Sequence, residues 1–190
     1  MDQEIISRLR KRVVQAGLDG IIALSSENVT YVSGFVVPSQ SLMRWRHAIC
    51  IVTAHGRISM VAIDMEGNTV KAHAGIDDLR VYGEFTEDPM DKLAETLMDL
   101  KLDRGKIGIE MEFLPVKDFT TLQKNLPAVQ WVAADAIFNQ HLKVERVAVG
   151  VVEITHRADH FFLRVHFIFA AGHNTDGRMF GHHVQLFFQF

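Results

Sequence analysis

The segment MRWRH, Met43 to His47, places two guanidinium groups on either side of a tryptophan. Arginine grips carboxylates through two parallel hydrogen bonds, and an indole can wall a small pocket. Arg44, Trp45 and Arg46 are therefore the candidate binding residues, for a carboxylate-bearing ligand. The same residues also suit a plain surface loop, with Trp45 folded onto the core and both arginines solvated. Other reactive types are less well arranged. His156 and His160, in HRADH, are four apart and would share one face of a helix. A zincin pair needs a glutamate after the first histidine, and here the neighbour is the cation Arg157. His173, His182 and His183 fit no known ligand spacing. Glu110 and Glu112 flank Met111 at a strand end, where charges ordinarily meet solvent. No G-x-S-x-G elbow, G-x-G-x-x-G turn or P-loop is present. No residue is assigned a catalytic or metal-ligating role.

A chain of 190 residues with net charge −3 suits one domain and offers no basic patch for nucleic acid. The single cysteine, Cys50, cannot form an internal disulfide, and its apolar setting AICIV suits a buried thiol. The charged amphipathic start MDQEIISRLRKR has no apolar signal core, and no run is long enough to span a membrane. The expected setting is the cytoplasm.

The loop must be positioned by the elements around it. Residues 3–16 read as a helix with Asp2 as its cap and a solvated arginine face. GIIALS reads as a buried strand. RHAICIVT and RISMVAI read as a hairpin turning at Gly56. LRVYGEF is a further strand. Asp88 and Pro89 open a helix whose apolar face is Met90, Leu93, Leu97 and Leu100. KIGIE is a strand. Pro115 opens a helix with Val116, Phe119, Leu122 and Leu126 on one side. VQWVAA is the last strand, with Asp135 capping a short helix. The expected fold is α/β: a mixed sheet of about six strands flanked by helices.

After residue 143 the texture changes. Eight of the 13 phenylalanines and six of the 10 histidines lie there, with no lysine. VQLFFQF closes the sequence with uncharged β-prone residues. Residues 144–190 are read either as extra strands on the sheet or as out-of-frame, non-native sequence attached to a domain spanning 1–143.

The order helix, GLDGIIALSSENVTYVSGF, hairpin, KIGIE, DAIFNQHLKVE resembles the N-terminal domain of the creatinase, prolidase and aminopeptidase P family. Asn28, Val29, Tyr31, Val32, Ser33, Gly34 and Phe35 match its N-hydrophobic-x-Y-hydrophobic-[ST]-G-F signature. In these residues Ser26 is the expected helix cap, Val29 and Val32 face the core, and Gly34 ends the helix with positive φ.

The resemblance implies an architectural role for that signature, with chemistry in a second, C-terminal domain. There, two aspartates, a histidine and two glutamates hold a pair of divalent metals, or the site works without metal in creatinase. That domain cannot fit into residues 144–190. VEITHRA, Val152 to Ala158, is only weakly similar to the helix that leads into it. The chain is thus expected to lack the active site and to hold no cofactor of its own, and whether it is itself an enzyme stays open. The resemblance further implies a homodimer, with peptide or small amide substrates only when a catalytic domain is present. A loop after SGF would reach the neighbouring subunit's site, which makes Arg44, Trp45 and Arg46 candidates for substrate contact in trans. A stand-alone module binding a small ligand or a protein through Met43–His47 is the alternative.

Overall fold

The computed structural model describes residues 3–43, 45–76, 78–139, 148–157, 160–170 and 181–189. They fall into two compact units, 1–138 and 139–190.

The first unit begins with α1, Gln3–Gln15, which buries Ile6, Leu9 and Val13. Gly17, at φ 63°, turns the chain into β1, Gly20–Ala23. Then follow α2, Ser26–Ser33, and α3, Pro38–Leu42. β2, Ile49–Thr53, and β3, Ile58–Ile63, form the hairpin, with Gly56 at φ 88° in its turn. A short 3-10 turn, Asp64–Glu66, leads into α4, Gly67–His73. β4, Asp78–Tyr82, precedes α5, Pro89–Asp99. β5, Lys106–Ile109, α6, Val116–Asn125, and β6, Gln130–Ala133, follow, with a helical turn over 135–139.

The sheet order is β4-β3-β2-β1-β5-β6. β2 runs antiparallel to β1 and β3, and every other pairing is parallel, so the sheet is mixed as its sequence suggests. The central strands are apolar throughout because both faces are covered. On one face Ile21, Ala23, Cys50, Val52, Met60 and Ala62 meet side chains from α1, α2 and α4. On the other, Ile22, Leu24, Ile49, Ile51, Val61 and Ile63 meet α5 and α6. Each fully buried Leu or Ile contributes about 2 kcal/mol. Alternation along β1 to β3 therefore fixes register, because a one-residue slip would exchange the two cores.

The structure corrects several local expectations. The helix cap is Ser25, not Ser26: the Ser25 side chain accepts the Asn28 N–H at 3.2 Å. The arginine face of α1 is only partly solvated, since Arg10 Nε donates to the Ala54 carbonyl and Arg12 Nη1 to that of Ile137. Val116 does not join the apolar face of α6, and 82% of its surface is exposed. Asp135 does more than sit at a helix start: its carboxylate accepts the N–H groups of Met111 and Glu112, both at 3.1 Å. Asp2 lies outside the described residues.

The second unit is a three-stranded antiparallel sheet: β7, Ala148–Arg157, β8, His160–Ala170, and β9, Gly181–Gln189, in that order. His156 and His160 thus lie on two paired strands rather than one helix, and VEITHRA is strand up to Arg157. His182 and His183 are on β9, and His173 lies outside the described residues.

Candidate functional site

Because β1, β3, β4, β5 and β6 run the same way, their carboxyl ends and the start of β2 meet at one end of the sheet. Two polar junctions form there. The first is built on Glu110, just after β5 and 4% exposed. Its Oε2 accepts the N–H groups of Leu24 and Ser25 at 2.5 and 2.9 Å. Its Oε1 accepts Ser25 Oγ–H and Asn28 Nδ2–H at 2.8 and 2.5 Å. One carboxylate thereby fixes the exit of β1 and the first turn of α2. Far from meeting solvent, it is buried and fully used, whereas Glu112 is exposed. The SENVTYVSGF stretch completes this junction. Val29 and Val32 are fully buried, Gly34 closes α2 at φ 72°, and Phe35 stacks on His73 with ring centres 5.5 Å apart.

The second junction carries the Met43–His47 loop. Arg44 lies outside the described residues. Trp45 is 72% exposed and not folded onto the core. Arg46 is not solvated: its Nε and Nη2 reach Glu84 Oε1 at 2.6 and 2.5 Å, both side chains being mostly buried. His47 is 5% exposed, and its Nε2 lies 3.0 Å from Asp118 Oδ2 in the first turn of α6. A neutral imidazole in this contact carries its hydrogen on Nε2, an assignment made from the bonding pattern. Nδ1 is buried without a partner among the described residues. The Tyr82 hydroxyl donates to the His47 carbonyl at 3.0 Å. Gln40 on α3 clamps the entry to β2, its Nε2 donating to the carbonyls of Leu24 and Ala48 at 2.7 and 2.9 Å.

Burial pushes the His47 pKa below its usual value, against the opposing pull of Asp118. Burial likewise pushes the Tyr82 hydroxyl up to about 12. Beside this junction a cleft of about 330 Å³ is walled by Trp45, His47, Asp88, Pro115, Lys117 and Asp118. A larger hollow of about 620 Å³ lies between α1 and β3, but its Asp78 is already taken by Arg57, Arg80 and Ser59.

The loop thus has a wall, Trp45, beside a cleft, while its one described guanidinium is engaged internally. Sequence reasoning named Trp45 and Arg46 but missed His47, Asp118 and Glu84. A histidine beginning a buried strand was the available signal for the first. The partners lie 71 and 38 residues away and leave no local trace. The described residues bring no three or more His, Cys, Asp or Glu side chains together as a metal-ligand set. Among the described residues no helix is long and apolar enough to cross a membrane.

A mixed six-stranded sheet flanked by helices is also the fold of solved N-terminal domains of Xaa-Pro dipeptidases. The N-terminal domain of an X-Pro dipeptidase from Streptococcus pyogenes is 17% identical, with a TM-score of 0.61, over 73% of this chain and 99% of that one. The aminopeptidase P of Streptococcus thermophilus is 17% identical, with a TM-score of 0.56, over 74% of this chain and 97% of that one. The dipeptidase of Pyrococcus horikoshii OT3 is 20% identical, with a TM-score of 0.60, over 74% of this chain but only 36% of the dipeptidase. These likenesses concern the fold. No curated protein sequence matches the chain. Residues 5–141 match the creatinase/prolidase N-terminal domain, and the chain belongs to that family.

Proposed function

We propose that residues 1–143 serve as the non-catalytic N-terminal domain of an Xaa-Pro peptidase-like or creatinase-like hydrolase. On this reading the domain pairs subunits into a homodimer and helps close the substrate site of its neighbour through Met43–His47. A catalytic domain outside these 190 residues would supply the divalent metals and the bond cleavage. The observation that carries the reading is the family match over residues 5–141, reinforced by similar structures named as N-terminal domains of Xaa-Pro dipeptidases. Substrates would then be peptides or small amides, in the cytoplasm. Arg44, Trp45 and Arg46 are the residues proposed to touch substrate in trans. The pure chain, incubated with Xaa-Pro dipeptides and divalent metal, is expected to hydrolyse nothing and to sediment as a dimer. Metal-dependent cleavage by the chain alone overturns the non-catalytic reading, and a monomer overturns the pairing.

The cleft beside Trp45 supports a second reading, a stand-alone module for a small carboxylate ligand or a protein partner. Saturable binding of a small carboxylate, lost in Arg44→Ala and Arg46→Ala, would favour it. The ion pair from Arg46 to Glu84 counts against it, since a ligand carboxylate would have to displace a partly buried one.

A further inference from the structure

The Met43–His47 loop is fastened by the Arg46–Glu84 ion pair and by His47, and that histidine is only half satisfied. His47 Nε2 is held by Asp118, its carbonyl by Tyr82, and its Nδ1 by nothing. The groups that face it are few. Asp118 and Lys117 come from the first turn of α6, Asp88 from the cap of α5, and Tyr82 from the end of β4. Asp118 and Asp88 both favour an imidazolium, but burial opposes it more strongly. A proton arriving on Nδ1 creates a buried N–H for which the described residues offer no acceptor. Such a donor, on a charged ring, is unfavourable where it stands and is relieved only if the ring moves toward water. Moving His47 moves its chain neighbours Arg46 and Trp45.

We propose that the His47–Asp118 contact is a proton-released latch: together with the Arg46–Glu84 pair it holds the Trp45–Arg46 segment in place while His47 is neutral, and it loosens that segment when His47 is protonated. The latch deepens the function proposed above, because it matters only if that segment is the working part of the loop. His47 and Asp118 are positioning residues, acting through Trp45 and Arg46. Because His47 sits where burial disfavours charge, release belongs to mildly acidic conditions, below the usual histidine midpoint of about 6.5.

The test is an NMR titration of the full chain from about pH 8 to about pH 5, the range in which histidine switches. The His47 ring signal is identified by its loss in His47→Gln, and the Trp45 indole N–H by its loss in Trp45→Phe. The expected result is that both signals move along one curve. Asp118→Asn should carry that shared curve to higher pH, because the closed state loses the carboxylate that holds neutral His47, and His47→Gln should leave Trp45 stationary. A His47 that titrates in place without release would shift the other way, to lower pH, because it loses the attraction of the Asp118 carboxylate. If His47→Gln fails to fold, Asp118→Asn still decides. A Trp45 signal indifferent to the His47 titration overturns the latch, as does a His47 that stays neutral throughout. No substrate is present, so the loop's role in a neighbouring site stands or falls separately.

Discussion

Two buried titratable side chains tie loops at the same end of the sheet, and they do so in opposite ways. Glu110 spends both oxygens on four donors and has nothing left over. His47 spends one nitrogen on Asp118 and leaves the other bare. A polar group that is fully paired in a low-dielectric interior fixes one arrangement, whereas a half-paired one leaves an alternative close in energy. The Glu110 junction pins the exit of β1 and the start of α2 and reads as architecture. The His47 junction carries the exposed Trp45 and the cleft and is built to be adjusted.

The contrast can be broken first at Glu110. Glu110→Ala leaves four buried donors without their acceptor and should cost about 3 kcal/mol or more, seen as a lowered urea midpoint. A loss under about 1 kcal/mol would remove the distinction between the junctions. Next is Gly34, whose φ of 72° closes α2. Gly34→Ala should cost about 1–2 kcal/mol in the same denaturation, because a Cβ is strained in that conformation. Arg46→Ala, at the adjustable junction, should cost only about 1 kcal/mol, the pair with Glu84 being partly open to water. It should nevertheless raise hydrogen exchange at the loop amides more than Gly34→Ala does.

The gentlest effect is a slope with pH. The folded-state pKa of His47 lies below its unfolded value, so the unfolded chain takes up the proton first. Stability is therefore full above about pH 6.5 and is lost as pH falls from there toward the depressed folded value. Urea midpoints measured across this window should show the slope in the wild type and lose it in His47→Gln.

The central strands β1 and β2 were legible because their runs are almost wholly apolar, with Gly17 and Gly56 marking the turns beside them. α5 and α6 announced themselves through Pro89 and Pro115 and a helical apolar stripe. α3 and α4 went unread. One is five residues long and the other seven, with few buried side chains, and they are held by Glu66, Gln40 and the sheet rather than by their own pattern. The cap at Ser25 was misplaced by one residue because adjacent serines are equivalent until Glu110 chooses between them. The candidate loop was visible from its residue types. Its fastening was not, since Asp118, Glu84 and Tyr82 meet it only after the sheet has assembled.

Cys50 lies fully buried on β2 between β1 and β3, its thiol pushed up to about 12 by burial. Sγ sits 4.0 Å from the Val29 carbonyl. A disulfide reagent needs both access and thiolate, and the folded chain offers neither. The sole sulfhydryl of the chain is therefore a stopwatch for the sheet. It reacts when β2 parts from its neighbours, so its modification half-life times that opening without any label being introduced.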